Sequence, residues 1–515
     1  MRVHLVHEFL EQGARRSPEQ PFLVHEGRAT TYAEIDSRAN ALASTLVREG
    51  LEPGERVALL ARNSPLYAET YYGVLKAGGV AVPLNTAADP TSLAYFLRHC
   101  GARHAVIGAG CERAAIAALG QGSAVETMLI EKPVAARLLP EGLRAIPVDE
   151  AYAAAPSAPP DRRRIDLDVA SILYTSGSTG RPQGATLTHG NLVANVSSIV
   201  DYLGLGPADR VLAVLPFYYV YGKSILNTHA AVGATVVIEN RFQYPNTALD
   251  TLEQERCTGF SGVPSTFSIL LHRSNLAERK LEHLRYVTQA GGAMSPRITR
   301  QLIDALPGKR IFVMYGATEA GARLAYLPPE RLAEKIGSIG IAIPNVELTV
   351  RRPDGSEADV REEGELVARG SNLMRGYWDD PEATARVLDE HGYHTGDLGY
   401  RDEDGFLFLV GRKSDMIKAG AHRVSAKEIE EAILEHPVIV EAAVIGVEDE
   451  ILGERIVGYV ALRDGAALDV DDLRKALKQR LPAYKVPSEI VVRGELPKNE
   501  SGKIQKRALL GSSDR

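Results

Sequence analysis

The segment Tyr174-Thr175-Ser176-Gly177-Ser178-Thr179-Gly180-Arg181-Pro182-Gln183-Gly184 sets three glycines among four hydroxyl side chains, directly after an apolar run at 170–174. Glycines let a backbone turn sharply and leave its N–H groups open, and hydroxyls add further donors. That combination suits a polyphosphate. The Gly-Lys-Ser/Thr ending of a Walker A loop is missing, so this is a different kind of phosphate loop; the bland alternative is a flexible Ser/Gly surface loop. Residues 170–174 read as a strand. The next regular element expected is a helix with Leu192, Val193, Val196, Ile199, Val200 and Leu203 on one face, a period near 3.6. Runs at 211–215, 234–238 and 311–314 read as further strands. Short apolar strands alternating with helical patterns predict an α/β fold. In open α/β sheets ligands sit at the carboxyl ends of strands, so the loops after these runs are where chemistry is expected.

The chain has 515 residues, 45% hydrophobic and 24% charged, which excludes a fibrous or mostly disordered chain. At about 150 residues per domain, its length accommodates roughly three domains. No apolar run approaches the ~20 residues that cross a bilayer, so no membrane span is expected. The first twenty residues carry Glu8 and Glu11 and no apolar core, unlike a secretory signal. Cys100, Cys111 and Cys257 are unclustered, against both a disulfide framework and a cysteine zinc site. A reducing, cytoplasmic setting fits. The net charge is −7 with no basic stripe, so nucleic acid is not an expected partner. The Ala/Pro-rich stretch 151–161 reads as a surface connection, and a second boundary falls near 411–415. Beyond it a helix at 428–435, a strand at 442–447, a helix at 471–480 and a strand at 489–492 suggest a small C-terminal domain.

Three further motifs bear chemistry. Tyr315-Gly316-Ala317-Thr318-Glu319 follows the run at 311–314. A carboxylate at a strand end can hold Mg²⁺, which favours one or two carboxylates plus substrate phosphates. Alone, Glu319 reads better as a surface helix cap. Tyr393-His394-Thr395-Gly396-Asp397 is followed by Gly411-Arg412-Lys413-Ser414-Asp415. An aspartate can accept both hydroxyls of a ribose, and an arginine can donate to the sugar or a phosphate. Near the C-terminus, Lys503 in Ser501-Gly502-Lys503-Ile504 can bring an ammonium onto a developing oxyanion.

In this order and spacing the motifs resemble the adenylate-forming superfamily: acyl-CoA synthetases, nonribosomal-peptide adenylation domains and beetle luciferases. The resemblance runs from Leu75-Lys76-Ala77-Gly78-Gly79-Val80-Ala81-Val82-Pro83-Leu84-Asn85, through the Ser/Gly loop and Gly291-Gly292-Ala293, to Ser501-Gly502-Lys503-Ile504. It implies an α/β fold with a large N-terminal domain of packed α/β subdomains at 1–412, with a subdomain break near 151–161. A small mobile α+β C-terminal domain at 413–515 carries the catalytic lysine. It also implies activation of a carboxylic acid by MgATP to an acyl-adenylate, then transfer to a thiol, most often CoA or a carrier-protein phosphopantetheine.

By position, the resemblance implies that Thr175, Ser176, Gly177, Ser178, Thr179 and Gly180 cradle the β- and γ-phosphates. Glu319 would hold Mg²⁺ and Thr318 would contact the α-phosphate. Gly291, Gly292, Ala293, Tyr315 and Gly316 would frame the adenine. Asp397 and Arg412 would bind the ribose, and Lys503 would stabilise charge as the carboxylate attacks. Ser414 matches the hinge, and Lys418 a lysine tied to the second half-reaction. Tyr218, Tyr219 and Arg323 fall beside the acyl pocket, with Arg323 facing either a second carboxylate or solvent. No aspartate stands there to pair an α-ammonium, which disfavours an α-amino acid. Three positions depart from the pattern: Ser414 stands where many relatives have Asp or Lys, Gln183 where a lysine is usual, and Ala421 where glycine lines the pantetheine tunnel. Fatty, aryl and dicarboxylic acids all remain open as substrates. The acceptor alternatives to CoA are a carrier protein and an amine. Outside that class stand a non-catalytic nucleotide-binding protein and, more remotely, a luciferase-type oxygenase.

Overall fold

A computed structural model describes residues 3–154, 158–175, 182–419, 422–449, 453–463, 465–498 and 504–509. Among these residues the strands form sheets of fourteen, eight and five. The largest has two unlike halves. Pro21–His25, Thr235–Ile238, Arg210–Ala213, Gly259–Gly262, Tyr286–Gln289 and Arg310–Tyr315 lie side by side and parallel. From Arg310–Tyr315 onward every neighbour is antiparallel: Ala325–Leu327, Ser338–Ala342, Leu407–Arg412, Gly392–Arg401, Gly364–Gly370 and Val346–Arg351. The carboxyl end of Arg310–Tyr315 therefore lies where the parallel half meets the antiparallel one.

The apolar runs are continuous rather than alternating because helices cover both faces of the parallel half. Val211 and Ala213 point into one core and Leu212 into another; Val236 and Ile238 share the first, Val237 the second. The first core is shared with the eight-stranded sheet, through Val57, Leu59, Ala170, Leu173 and Leu187. Helices Tyr32–Arg48, Pro65–Lys76, His189–Leu203 and Val220–Val232 contribute to this core. The middle of Val220–Val232, residues 221–230, is buried throughout. The five-stranded sheet, beginning at Met416–Ala419, has its own cores with helices Ala426–Leu434 and Val470–Arg480. Arg297, on helix Pro296–Ala305, reaches across to that part. It donates to the carbonyls of Leu434 (2.8 Å), His436 (2.5 Å) and Pro437 (3.0 Å).

The strands expected at 170–174, 211–215, 234–238 and 311–314 are present, shifted by one or two residues. Two expectations are corrected. The Ser/Gly loop does not lead directly into a helix: a strand, Gln183–Thr188, intervenes and pairs antiparallel with Val169–Thr175. Its side chains are small and its apolar positions are only Ala185 and Leu187, so no periodic signal marks it. It forms because Val169–Thr175 offers a partner edge. Gly184 lies so close to that strand that a Cβ would fall 2.7 Å from the Ile172 side chain. The stretch 151–161 does not divide the sheet. Ala151 is buried in helix Val148–Ala153, and strands on either side of the stretch share the eight-stranded sheet, Ser171 pairing with Ala81.

Candidate active site

Register brings together Asp397 and Arg412, the pair expected to bind the ribose. Gly392–Arg401 and Leu407–Arg412 are neighbouring antiparallel strands, and Asp397 stands directly opposite Arg412. Arg412 Nε donates to Asp397 Oδ1 at 2.7 Å. The hydroxyl of Tyr315, the last residue of its strand, donates to Asp397 Oδ2 at 2.6 Å. Burial and the adjacent Asp397 charge push the Tyr315 phenol well above its ordinary range, so it remains a donor. Among the described residues each Asp397 oxygen is engaged once, and a carboxylate has about four acceptor sites. Two therefore remain for a vicinal diol. Tyr315 is itself buried among Ala320, Leu324 and Ile339, so it reaches the site through its hydroxyl.

The chain turns back sharply after Tyr315. A Cβ on Gly316 would lie 1.9 Å from the Ala322 carbonyl oxygen, so no larger residue fits. That turn places Thr318 and Glu319 in a 3₁₀ turn, both half-buried. Glu319 is tied to the other sheet. Tyr377 donates its hydroxyl to Glu319 Oε1 at 2.8 Å, and the Met374 N–H donates to the Glu319 carbonyl at 2.7 Å. Burial and the Glu319 charge raise the Tyr377 phenol far above its usual range. Among the described residues no cation pairs with Glu319, and no cluster of three metal-ligating side chains exists. That donor set suits Mg²⁺ held by one carboxylate, with phosphate and water filling the remaining positions.

Gly291, Gly292 and Ala293 are exposed after strand Tyr286–Gln289, whose Gln289 side-chain amide donates to the Gly292 carbonyl at 2.8 Å. Thr175 pairs with Gln183, on either side of the Ser/Gly stretch in sequence. Ser176, Gly177, Ser178, Thr179, Gly180 and Arg181 lie outside the described residues, as do Ala421 and Lys503. Ile504, next to Lys503, bridges to Lys498. Ser414 is exposed in the turn Lys413–Asp415, and its hydroxyl donates to Asp415 at 2.9 Å. Lys418 is exposed on the five-stranded sheet. Among the described residues its side chain makes no bond to the Asp397 cluster; its N–H donates to Glu454 at 2.5 Å.

Tyr218 is buried and Tyr219 half-buried, their rings 4.6 Å apart, at the start of helix Val220–Val232. Arg323 does not face solvent: it is 3% exposed. Four partners carry no mark in the sequence: Tyr377, Glu365, Asn195 and Asn372. Glu365 accepts from Lys413 (2.8 Å), lies 3.1 Å from His394 Nδ1 and also accepts the Gly396 N–H. Against the opposing effect of burial, Lys413 and His394 hold its carboxyl below the usual range. None of these residues sits in a glycine-marked motif, so only the fold exposes them.

The family model for AMP-binding enzymes matches residues 10–378, and that for their C-terminal domain matches 428–503. A feruloyl-CoA synthase from an Amycolatopsis species is 35% identical, over 96% of each chain. A sulfoacetate–CoA ligase from Cupriavidus necator is 33% identical, again over 96% of each. The solved o-succinylbenzoate coenzyme A synthetase from Bacillus subtilis, in complex with ATP and magnesium, superimposes with a TM-score of 0.82. It is 28% identical, over 98% of this chain and 99% of that one. The chain belongs to the AMP-binding enzyme family.

Proposed function

We propose that the protein is an AMP-forming acid–CoA ligase. It uses MgATP to activate a carboxylic acid and passes the acyl group to the thiol of CoA. In the first half-reaction a carboxylate oxygen attacks the α-phosphorus of ATP. The bond from that phosphorus to the bridging oxygen breaks, and pyrophosphate leaves. In the second, the thiol sulfur attacks the acyl carbon, AMP departs, and the thiol proton passes to solvent. AMP is a good leaving group where hydroxide is not, so one hard step becomes two easier ones.

The observation that carries this reading is the Tyr315–Asp397–Arg412 cluster, with Glu319 on the same turn as Tyr315, at the carboxyl end of the central strand. Asp397 and Arg412 hold the ribose. Glu319 holds Mg²⁺, which supplies positive charge against the phosphate oxygens during attack. Thr318 reaches the α-phosphate, and the Ser/Gly loop, its ends pinned by the Thr175–Gln183 pair, wraps the outer phosphates. Lys503 stabilises the charge that develops at the α-phosphate. Residues 413–515 act as a lid that turns about Ser414 between the half-reactions, bringing Lys418 in for the second. The relatives named as CoA ligases support CoA as acceptor. Among the described residues Cys100, Cys111 and Cys257 form no disulfide and are buried, which suits a reducing compartment. Among the described residues no helix is long and apolar enough to cross a membrane.

The test is hydroxamate formation from fatty, aryl and dicarboxylic acids with ATP and hydroxylamine, without CoA, followed by the same acids with CoA. Hydroxamate with AMP rather than ADP, and acyl-CoA in the second assay, are the expected products. ADP in place of AMP refutes the reading. Adenylation without acyl-CoA moves the acceptor to a carrier protein or an amine.

A further inference from the structure

Arg323 bears a charge that no anion among the described residues neutralises. Among the described residues its hydrogen bonds go to the Met314 sulfur (3.2 Å) and the Ala322 carbonyl (3.1 Å). Its guanidinium lies 4.3 Å from the centre of the Tyr221 ring. Tyr202 also lies against it: burial pushes that phenol up to about 12, and the guanidinium restrains the rise. A thioether is a weak acceptor, and none of these partners is an anion. Buried cations are ordinarily paired. Lys76 shows the usual arrangement, with Asp36 at 2.6 Å and Glu11 at 3.6 Å. Lys223 is buried among tyrosines without a carboxylate, but burial drives its pKa far down, so it can shed its proton. Arginine has no such escape, because its guanidinium stays charged in proteins. Among the described residues nothing supplies the counter-charge for Arg323.

The backbone holds Arg323 in place under strain. Ala322, just before it, has φ +145°, a conformation that favours glycine. The Arg323 carbonyl accepts from the side-chain amides of both Asn195 (3.0 Å) and Asn372 (2.9 Å), each buried. Strain over-determined in this way clusters at ligand clamps. The location is equally specific. Arg323 follows Glu319 by four residues, and Tyr221 belongs to the Tyr218–Tyr219 segment. The Tyr221 hydroxyl is fixed to Thr288, 2.8 Å from its side-chain oxygen. The cation is thus lodged between the turn that carries Glu319 and the Tyr218–Tyr221 segment, which the family resemblance sets beside the acyl group.

Resting on the ligase reading above, we infer that Arg323 recognises a second oxyanion on the acid substrate, a carboxylate or sulfonate at the end remote from the carboxyl group that is adenylated. A guanidinium binds such groups through two parallel hydrogen bonds.

Calorimetric titration of the full-length protein tests this with acids taken in matched pairs, with and without α,β-methylene-ATP. Straight-chain diacids are compared with monoacids of equal length, and carboxy- and sulfobenzoates with benzoate. At least one doubly anionic acid should bind roughly thirtyfold or more tightly than its singly charged twin. The carboxylate and sulfonate arms identify which oxyanion is preferred. Arg323→Gln should bring that ratio towards one, and Arg323→Lys should recover only part of it. Equal or tighter binding of the singly charged twins across the panel overturns the inference without any variant. So does an unchanged ratio in folded Arg323→Gln. Pyrophosphate release is followed separately: a diacid preference in binding with no pyrophosphate from any acid leaves Arg323 as the recognition group and refutes the ligase reading instead.

Discussion

Replacing Asp397 by alanine removes two contacts of unequal weight. Arg412 loses its partner, but its side chain is 51% exposed, so water takes the place of the carboxylate. That loss is about 0–1 kcal/mol. The Tyr315 hydroxyl is buried, and removing its charged acceptor costs about 1–3 kcal/mol. Together they lower stability by about 1–4 kcal/mol. Nucleotide recognition suffers differently. Two ribose hydroxyls bound to a carboxylate contribute about 3 kcal/mol or more, so kcat/KM for ATP should fall about a hundredfold or further. Tyr315→Phe is the control: it deletes the same buried donor and leaves the carboxylate with Arg412. Thermal denaturation should place the two variants close together. Pyrophosphate-release kinetics with ATP and 2′-deoxy-ATP should separate them. The unaltered enzyme and Tyr315→Phe should both prefer ATP, and Asp397→Ala should not discriminate. If Asp397→Ala keeps the preference, or Tyr315→Phe abolishes it as completely, Asp397 is a structural brace and not the ribose ligand.

Glu319→Gln keeps an oxygen for the Tyr377 hydroxyl but loses the charge, so the fold should survive. Its kcat/KM for ATP should fall about a hundredfold or more, with the Mg²⁺ needed for half-maximal rate rising, as a magnesium titration would show. Acid should loosen the N-terminal segment. His189 is 1% exposed, its Nδ1 accepts the Val6 N–H at 3.1 Å, and burial lowers its pKa to about 4. The unfolded chain therefore binds a proton that the folded chain refuses. The contribution of His189 is fully present above about pH 6.5 and is lost as pH falls towards 4, about 3 kcal/mol in all. Thermal melts across that range should show the decline, and His189→Gln should flatten it. Arg297→Ala removes three hydrogen bonds to carbonyls at 434–437, so the C-terminal part should undock more readily. Limited proteolysis near residues 412–416 should speed up, about tenfold for each ~1.4 kcal/mol lost; an unchanged cleavage rate would show that Arg297 does not hold the two parts together.

Elements with a period of their own are legible in the sequence. Helix His189–Leu203 announces itself through Leu192, Val196 and Ile199, and strand Thr235–Ile238 through an unbroken apolar run. Strands formed by tertiary pairing are not. Gln183–Thr188 is short and small-residued, and it is a strand because Val169–Thr175 lies beside it. Gly453–Leu462 pairs in the same way with Ile439–Asp449. The stretch 151–161 misleads because its Ala/Pro composition resembles a linker, although Ala151 fills a core position. Composition reports what a residue can tolerate, whereas burial is decided by what the rest of the chain places above it.

The same distinction runs through the site. A motif gives the type of group at a position and leaves open what that group touches. Asp397 and Arg412 are fifteen residues apart, and only the register of two strands makes them opposite neighbours. Tyr377 comes from a two-residue strand on a different sheet, and nothing near it in sequence points to Glu319. Arg323 is the extreme case. Its neighbours Ala322, Leu324 and Ala325 are apolar and buried, which in sequence reads as a core segment that would exclude a charge. The fold admits the charge nonetheless, and holds the strained Ala322 backbone beside it with two asparagines. A sequence that needed only to pack this segment would place an aliphatic side chain at 323, since a buried cation without an anion is costly. Its presence there is therefore more informative than any conventional residue in the same loop: on the proposed reading Glu319 would mark where phosphate chemistry takes place, and Arg323 what kind of acid is brought to it.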